Sequence, residues 1–142
     1  MRRRVFLAAS LALVPWAGQA ADATALEAAI REAIGDAMPV EGGIELRVPA
    51  VAENGAQVPL AILADSAMTE ADHVAAIHVF APGNPTPGVA SFHLFPGLAR
   101  AEVHTRIRVA EEQAILVLAV YANGTVRRAS AALKVTRGGC LS

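Results

Sequence analysis

Residues 101–109 read Ala-Glu-Val-His-Thr-Arg-Ile-Arg-Val, so that Val103, Thr105, Ile107 and Val109 alternate with Glu102, His104, Arg106 and Arg108. Successive side chains of a strand point to opposite faces, so this period of two predicts a strand with one face in a core and one in water. Ile44-Glu45-Leu46-Arg47-Val48 alternates in the same way. Ala114 to Tyr121 is apolar throughout, as befits a central strand covered on both faces.

Working outward from these stretches, strands are predicted at 44–51, 58–64, 73–81, 89–95, 101–109, 114–121 and 126–136. Asn54-Gly55 and Asn123-Gly124 read as hairpin turns, and the run from Pro82 to Gly88 as a Pro/Gly loop. Seven short strands with turn signals at this spacing predict a mainly β protein, an immunoglobulin-like β-sandwich. Upstream, Thr24-Ala25-Leu26-Glu27 has the form of a capping box, and Leu26, Ala29, Ile30 and Ile34 recur at helical spacing up to Gly35. A short packing helix near 24–36 follows.

The chain has 142 residues, 54% of them hydrophobic and 18% charged, which fits one domain with a real core. Nothing in this balance calls for a nucleic-acid partner. Arg2, Arg3 and Arg4 precede an apolar run from Val5 to Val14 that is too short to span a bilayer, so no membrane anchor is expected there. Gly18-Gln19-Ala20 supplies small residues for a signal peptidase, and cleavage is expected after Ala20. Arg3-Arg4-Val5-Phe6-Leu7 looks like a twin-arginine export signal, and the general secretory route also suits it. The expected organisation is a signal peptide at 1–20, a sandwich domain at 21–136 and a flexible arm at 137–142, with the protein in the periplasm. Loss of three arginines leaves nine basic against thirteen acidic residues, a net charge of −4.

Among the residues able to carry chemistry, Cys140 stands out. It is the single cysteine, it follows Gly138-Gly139, and it lies in the tail Thr136-Arg137-Gly138-Gly139-Cys140-Leu141-Ser142. Two glycines give backbone freedom and remove bulk, which lets a thiol beyond them enter a narrow site on another protein. A lone cysteine in an exported chain makes no internal disulfide, which leaves a free thiol, an intermolecular bond or an inert residue. Arg137, with Lys134 and Arg127-Arg128, is a candidate to lower the thiol pKa or hold an anion attached to it; the plain alternative is solvated surface charge. His73, His78, His93 and His104 are spread over different predicted strands, at 73–81, 89–95 and 101–109, without short paired ligand spacing, so no metal and no cofactor are expected. Three functions compete: a carrier on Cys140, a sandwich domain tethered to a partner by an intermolecular disulfide through Cys140, and a thiol enzyme. A nucleophile needs a base on a rigid scaffold, which a glycine hinge opposes.

Several segments taken in order resemble the SoxY family, the sulfur-carrier subunits of the thiosulfate-oxidizing Sox system. They are Leu46-Arg47-Val48-Pro49, Ala52-Glu53-Asn54-Gly55 with Val58-Pro59, Met68-Thr69-Glu70-Ala71-Asp72-His73-Val74, Asn84-Pro85 with Pro87, and Phe92-His93-Leu94. Thr105-Arg106-Ile107-Arg108, Asn123-Gly124 and Val135-Thr136-Arg137-Gly138-Gly139-Cys140 complete the series. The resemblance implies a carrier, not an enzyme, that holds S-thiosulfonate and persulfide adducts on Cys140 and swings on Gly138 and Gly139. It implies a heterodimer with a SoxZ-like subunit. The enzymes served are a SoxAX-like c-type cytochrome that conjugates thiosulfate, a SoxB-like hydrolase that releases sulfate, and a SoxCD-like sulfur dehydrogenase. Leu141-Ser142 departs from the Gly-Gly that follows the cysteine in the family pattern, and it adds bulk beside the thiol.

Overall fold

The computed structural model describes residues 17–136, with the backbone alone for 17–22. Helix α1 (Ala17–Ile34) is followed by β1 (Val40–Glu41), β2 (Ile44–Arg47), β3 (Val51–Ala52), β4 (Val58–Ala64), β5 (Val74–Phe80), β6 (Gly88–His93), β7 (Ala101–Ile107), β8 (Gln113–Tyr121) and β9 (Val126–Val135). The larger sheet has the order β1-β9-β8-β5-β6, with β3 also paired to β9, and the smaller has the order β2-β4-β7. The two face each other as a sandwich.

Alternation decides which side chains meet between the layers. On β4, Val58, Leu60, Ile62 and Ala64 are buried, and on β7 so are Ala101, Val103 and Ile107. They pack against Ile77 and Val79 of β5 and Ile115, Val117 and Ala119 of β8. Fully burying a branched aliphatic side chain stabilises the fold by roughly 1.5–3 kcal/mol, and Ile62, Ile77 and Ile115 are among those completely enclosed. The other face of β8, with Leu116 and Leu118, joins Phe80 and Val126 in a second cluster under Leu26, Ala29, Ile30, Ala33 and Ile34 of α1. Strand β8 is therefore covered on both faces, as its unbroken apolar run predicts.

The chain departs from the sequence expectations at three places. Helix α1 begins at Ala17, so Thr24 lies inside it; the upstream residues are rich in alanine, the best helix former. It ends before Gly35, whose N–H closes the last turn on the Arg31 carbonyl at 2.8 Å. The stretch predicted as one strand over 44–51 serves both layers: β2 pairs with β4, and after Pro49, which cannot donate to a ladder, β3 pairs with β9. The chain reaches β2 from β1 through Gly42 and Gly43, both in the left-handed region with φ of 98° and 76°, where a side chain would be strained. Asn54-Gly55 is no two-residue hairpin. Asn54 Oδ1 accepts from Ala56 N at 2.9 Å, forming a side-chain-closed turn that carries the chain from β3 in one layer to β4 in the other. Asn123-Gly124 does join two paired strands, β8 and β9, with Gly124 at φ 89°.

Candidate functional site

Arg137, Gly138, Gly139, Cys140, Leu141 and Ser142 lie outside the described residues, as does most of the expected signal peptide. The root of the arm is described. It is the end of β9, the longest strand, which pairs with β8 from Gln113↔Leu133 to Val120↔Val126. Its other edge is held at both ends, by β1 at Arg127 and Arg128 and by β3 at Lys134 and Val135. Lys134 N donates to the Ala50 carbonyl at 2.9 Å and Thr136 N to the Ala52 carbonyl at 3.0 Å. The Thr136 hydroxyl adds a bond to the Glu53 carbonyl at 3.1 Å. The described chain thus ends on a fixed post, from which the expected arm would start.

The cations named as candidate supports separate. Lys134 is exposed two residues before Thr136. Arg127 and Arg128 stand at the opposite end of β9, roughly 26 Å from Thr136 at about 3.3 Å per residue. There Arg128 Nε is 2.9 Å from Glu41 Oε1, and Arg127 Nη1 approaches the Glu41 carbonyl at 3.5 Å. Arg127 and Arg128 fix β1 to β9, and the structure does not bring them to the root of the arm.

Two motifs quoted from the sequence find structural roles. Asn84 Oδ1 accepts from Ala110 N at 2.9 Å and from Gln113 Nε2 at 3.1 Å, while its Nδ2 donates to the Arg108 carbonyl at 2.7 Å. Gln113 Oε1 in turn accepts from Gly83 N at 2.8 Å. One amide therefore locks the β5–β6 loop to the start of β8, the residue that faces Leu133 near the root. Met68 is buried with φ 54°, a conformation strained for a side chain of this size. The next residues close on themselves, with Thr69 Oγ1 accepting from Asp72 N at 3.0 Å and His73 Nδ1 donating to the Thr69 and Glu70 carbonyls.

The histidines are dispersed. His73 precedes β5, while His78, His93 and His104 lie on β5, β6 and β7. Among the described residues no group of three or more metal-binding side chains converges. His78 is buried under α1 with Nδ1 2.7 Å from Ser91 Oγ; burial, and then the charge of His93, push its pKa below the usual imidazole value. Tyr121 donates its hydroxyl to the Asp65 carbonyl at 2.7 Å, and burial raises its pKa.

Sequence reasoning passed over the outer face of the smaller sheet. Register places Arg47 and His104 on either side of Ala61, and Arg106 opposite Pro59. Glu45 Oε1 accepts from Arg47 Nε at 2.7 Å, and Glu102 Oε1 lies 2.8 Å from His104 Nε2, a bond that holds the Glu102 carboxyl below the usual range. Between these ridges lies a shallow groove of ≈ 550 Å³ that extends over Val48, Pro49 and Pro59. The signal for it was the polar half of the alternation in 101–109.

A family model described as "Sulfur oxidation protein SoxY" matches residues 30–140, which takes in Gly138, Gly139 and Cys140. No curated protein matches the chain. Among solved structures, the sulfur carrier protein SoxY from Chlorobium limicola f thiosulfatophilum is similar, at 32% identity and a TM-score of 0.67 over 80% of this chain and 98% of that one. A superoxide reductase (neelaredoxin) from Ignicoccus hospitalis has 12% identity and a TM-score of 0.58 over 66% of this chain and 80% of its own, which is a likeness of fold alone. The family match spans most of the chain, the sandwich agrees with the structure of a SoxY protein, and the chain belongs to the SoxY family of sulfur oxidation proteins.

Proposed function

We propose that this chain is a carrier protein that holds sulfur intermediates of thiosulfate oxidation covalently on Cys140 and presents them to partner enzymes. The observation that carries the reading is the extent of the family match, which runs from α1 through the sandwich to Cys140. The similar Chlorobium protein is itself a sulfur carrier. The geometry is consistent with that role, because Thr136 ties the root of the arm to the domain and four residues beyond it bring the chain to Cys140. Extended, four residues reach at most ~14 Å. A short arm on a fixed post delivers a small group into a pocket without unfolding the domain.

The finer parts of the reading are what the resemblance to the SoxY family implies, together with the export signal expected at the start of the chain. Joining thiosulfate to the Cys140 thiol is a two-electron oxidation whose electrons pass to the c-type cytochrome, and hydrolysis of the resulting S-thiosulfonate releases sulfate and leaves a persulfide, so the protein is a substrate-carrying subunit and not a catalyst. Its partners are a SoxZ-like subunit and SoxAX-like, SoxB-like and SoxCD-like enzymes, and it works in the periplasm after cleavage behind Ala20. Among the described residues no helix is long and apolar enough to cross a membrane.

The test is the intact mass of the protein isolated from cells grown on thiosulfate, before and after reductant, beside Cys140→Ser. Small sulfur adducts that reductant removes and the variant lacks are expected. A protein-sized reducible adduct in their place would favour the disulfide-tethered reading.

A further inference from the structure

A cavity of ≈ 560 Å³ lies between α1 and the larger sheet, with Ala29, Glu32 and Ala33 of the helix on one side and His78, Ser91 and His93 of β5 and β6 on the other. Strand β5 pairs with β6 through His78↔Ser91 and Ala76↔His93, so His93 stands on the same face as His78, one diagonal step away. Such neighbours are about 7–8 Å apart, within reach of two imidazoles. His78 is only 8% exposed, and its Nδ1 lies 2.7 Å from Ser91 Oγ, which holds the ring. Among the described residues its Nε2 has no hydrogen-bond partner and is not fully enclosed, which leaves that nitrogen to the cavity.

We propose that His78 and His93 form a binding site for a divalent first-row transition ion such as zinc. A neutral imidazole keeps a lone pair on one ring nitrogen, and a hydrogen bond at the other nitrogen is how metal-binding histidines are commonly oriented. Ser91 supplies that bond to His78. Glu32, which α1 presents to the same cavity, adds a negative charge that favours a cation there. Among the described residues no group of three ligands is already assembled, so the site is an open one, with water in the remaining positions. Neither histidine has a ligand partner at short sequence spacing, and only the strand register discloses the pair. Strands β8 and β5 separate β6 from β9, so the site is distinct from the root of the arm and does not depend on the carrier reading.

The test is calorimetric titration of zinc into the untagged full chain near neutral pH, with Cys140→Ser as background so that the thiol does not compete for the ion. Saturable binding is expected, weakened roughly tenfold or more by His78→Gln and by His93→Gln. His104→Gln, on the outer face of the smaller sheet, is expected to leave the affinity unchanged. No saturable binding, an affinity that either cavity variant leaves intact, or an equal loss in His104→Gln overturns the proposal. Because His78 is buried, circular dichroism checks its variant, and the exposed His93 keeps the test decisive if His78→Gln fails to fold. In the proton NMR spectrum zinc is expected to shift the imidazole signals of His78 and His93 and to spare those of His73 and His104; the reverse pattern also overturns it.

Discussion

Single residues hold the ends of this sandwich in place. Asn84 satisfies two donors and one acceptor across the β5–β6 and β7–β8 loops, so Asn84→Ala leaves Ala110 N and the Arg108 carbonyl without it and is expected to cost about 1–3 kcal/mol, read from the denaturation midpoint. An unchanged midpoint would remove its role as a clamp. His78 gives a pH signature. Folding lowers its pKa from 6.5, so below that value the unfolded chain takes up a proton that the folded chain resists. Its contribution is complete above about pH 6.5 and declines as pH falls through the lower folded value. Two other titratable groups line the same cavity, His93 on β6 and Glu32 on α1. His78→Gln is expected to flatten the stability profile between pH 7 and 5, and equal slopes in both proteins would refute this. At this scale the sequence was only half legible: Asn84 could be quoted as part of a motif, but its partners lie 24 to 29 residues away and no local pattern announces them.

Elements were easier to read where one physical demand set the pattern. Strands β7 and β8 follow directly from alternation and from an unbroken apolar run, because each has a constant environment along its length. The stretch 44–51 failed as a single strand because its pattern is shared by two layers and only Pro49 marks the change. The start of α1 was misplaced because a capping box can lie inside a longer helix when alanines precede it. If the chain is cut after Ala20, Thr24 comes within four residues of the new end and can cap what remains. The contact of α1 with Phe80, Leu116 and Leu118 is apolar, so Ile30→Asp in the mature chain should raise hydrogen exchange in the helix while β4, β5 and β8 stay protected. Loss of protection throughout would mean that the helix belongs to the cooperative core.

At the scale of the whole molecule, two sheets and a helix pack together, and Thr136, just past the end of β9, is tied to the Ala52 and Glu53 carbonyls. The sandwich was legible from periodicity, whereas the groove on the outer face of the smaller sheet depends on the register of three strands and could not be read from one dimension. The family match covers this body and runs on to Cys140, and in the carrier role proposed above the body is the handle by which partners would hold the protein. The measurement that tests this most directly is the fate of thiosulfate radiolabelled in its sulfane sulfur, incubated with the protein and periplasmic extract of thiosulfate-grown cells. The label is expected on the peptide that contains Cys140, released by reductant and absent from Cys140→Ser. Label that never enters that peptide, or that Cys140→Ser retains in full, would contradict the carrier account.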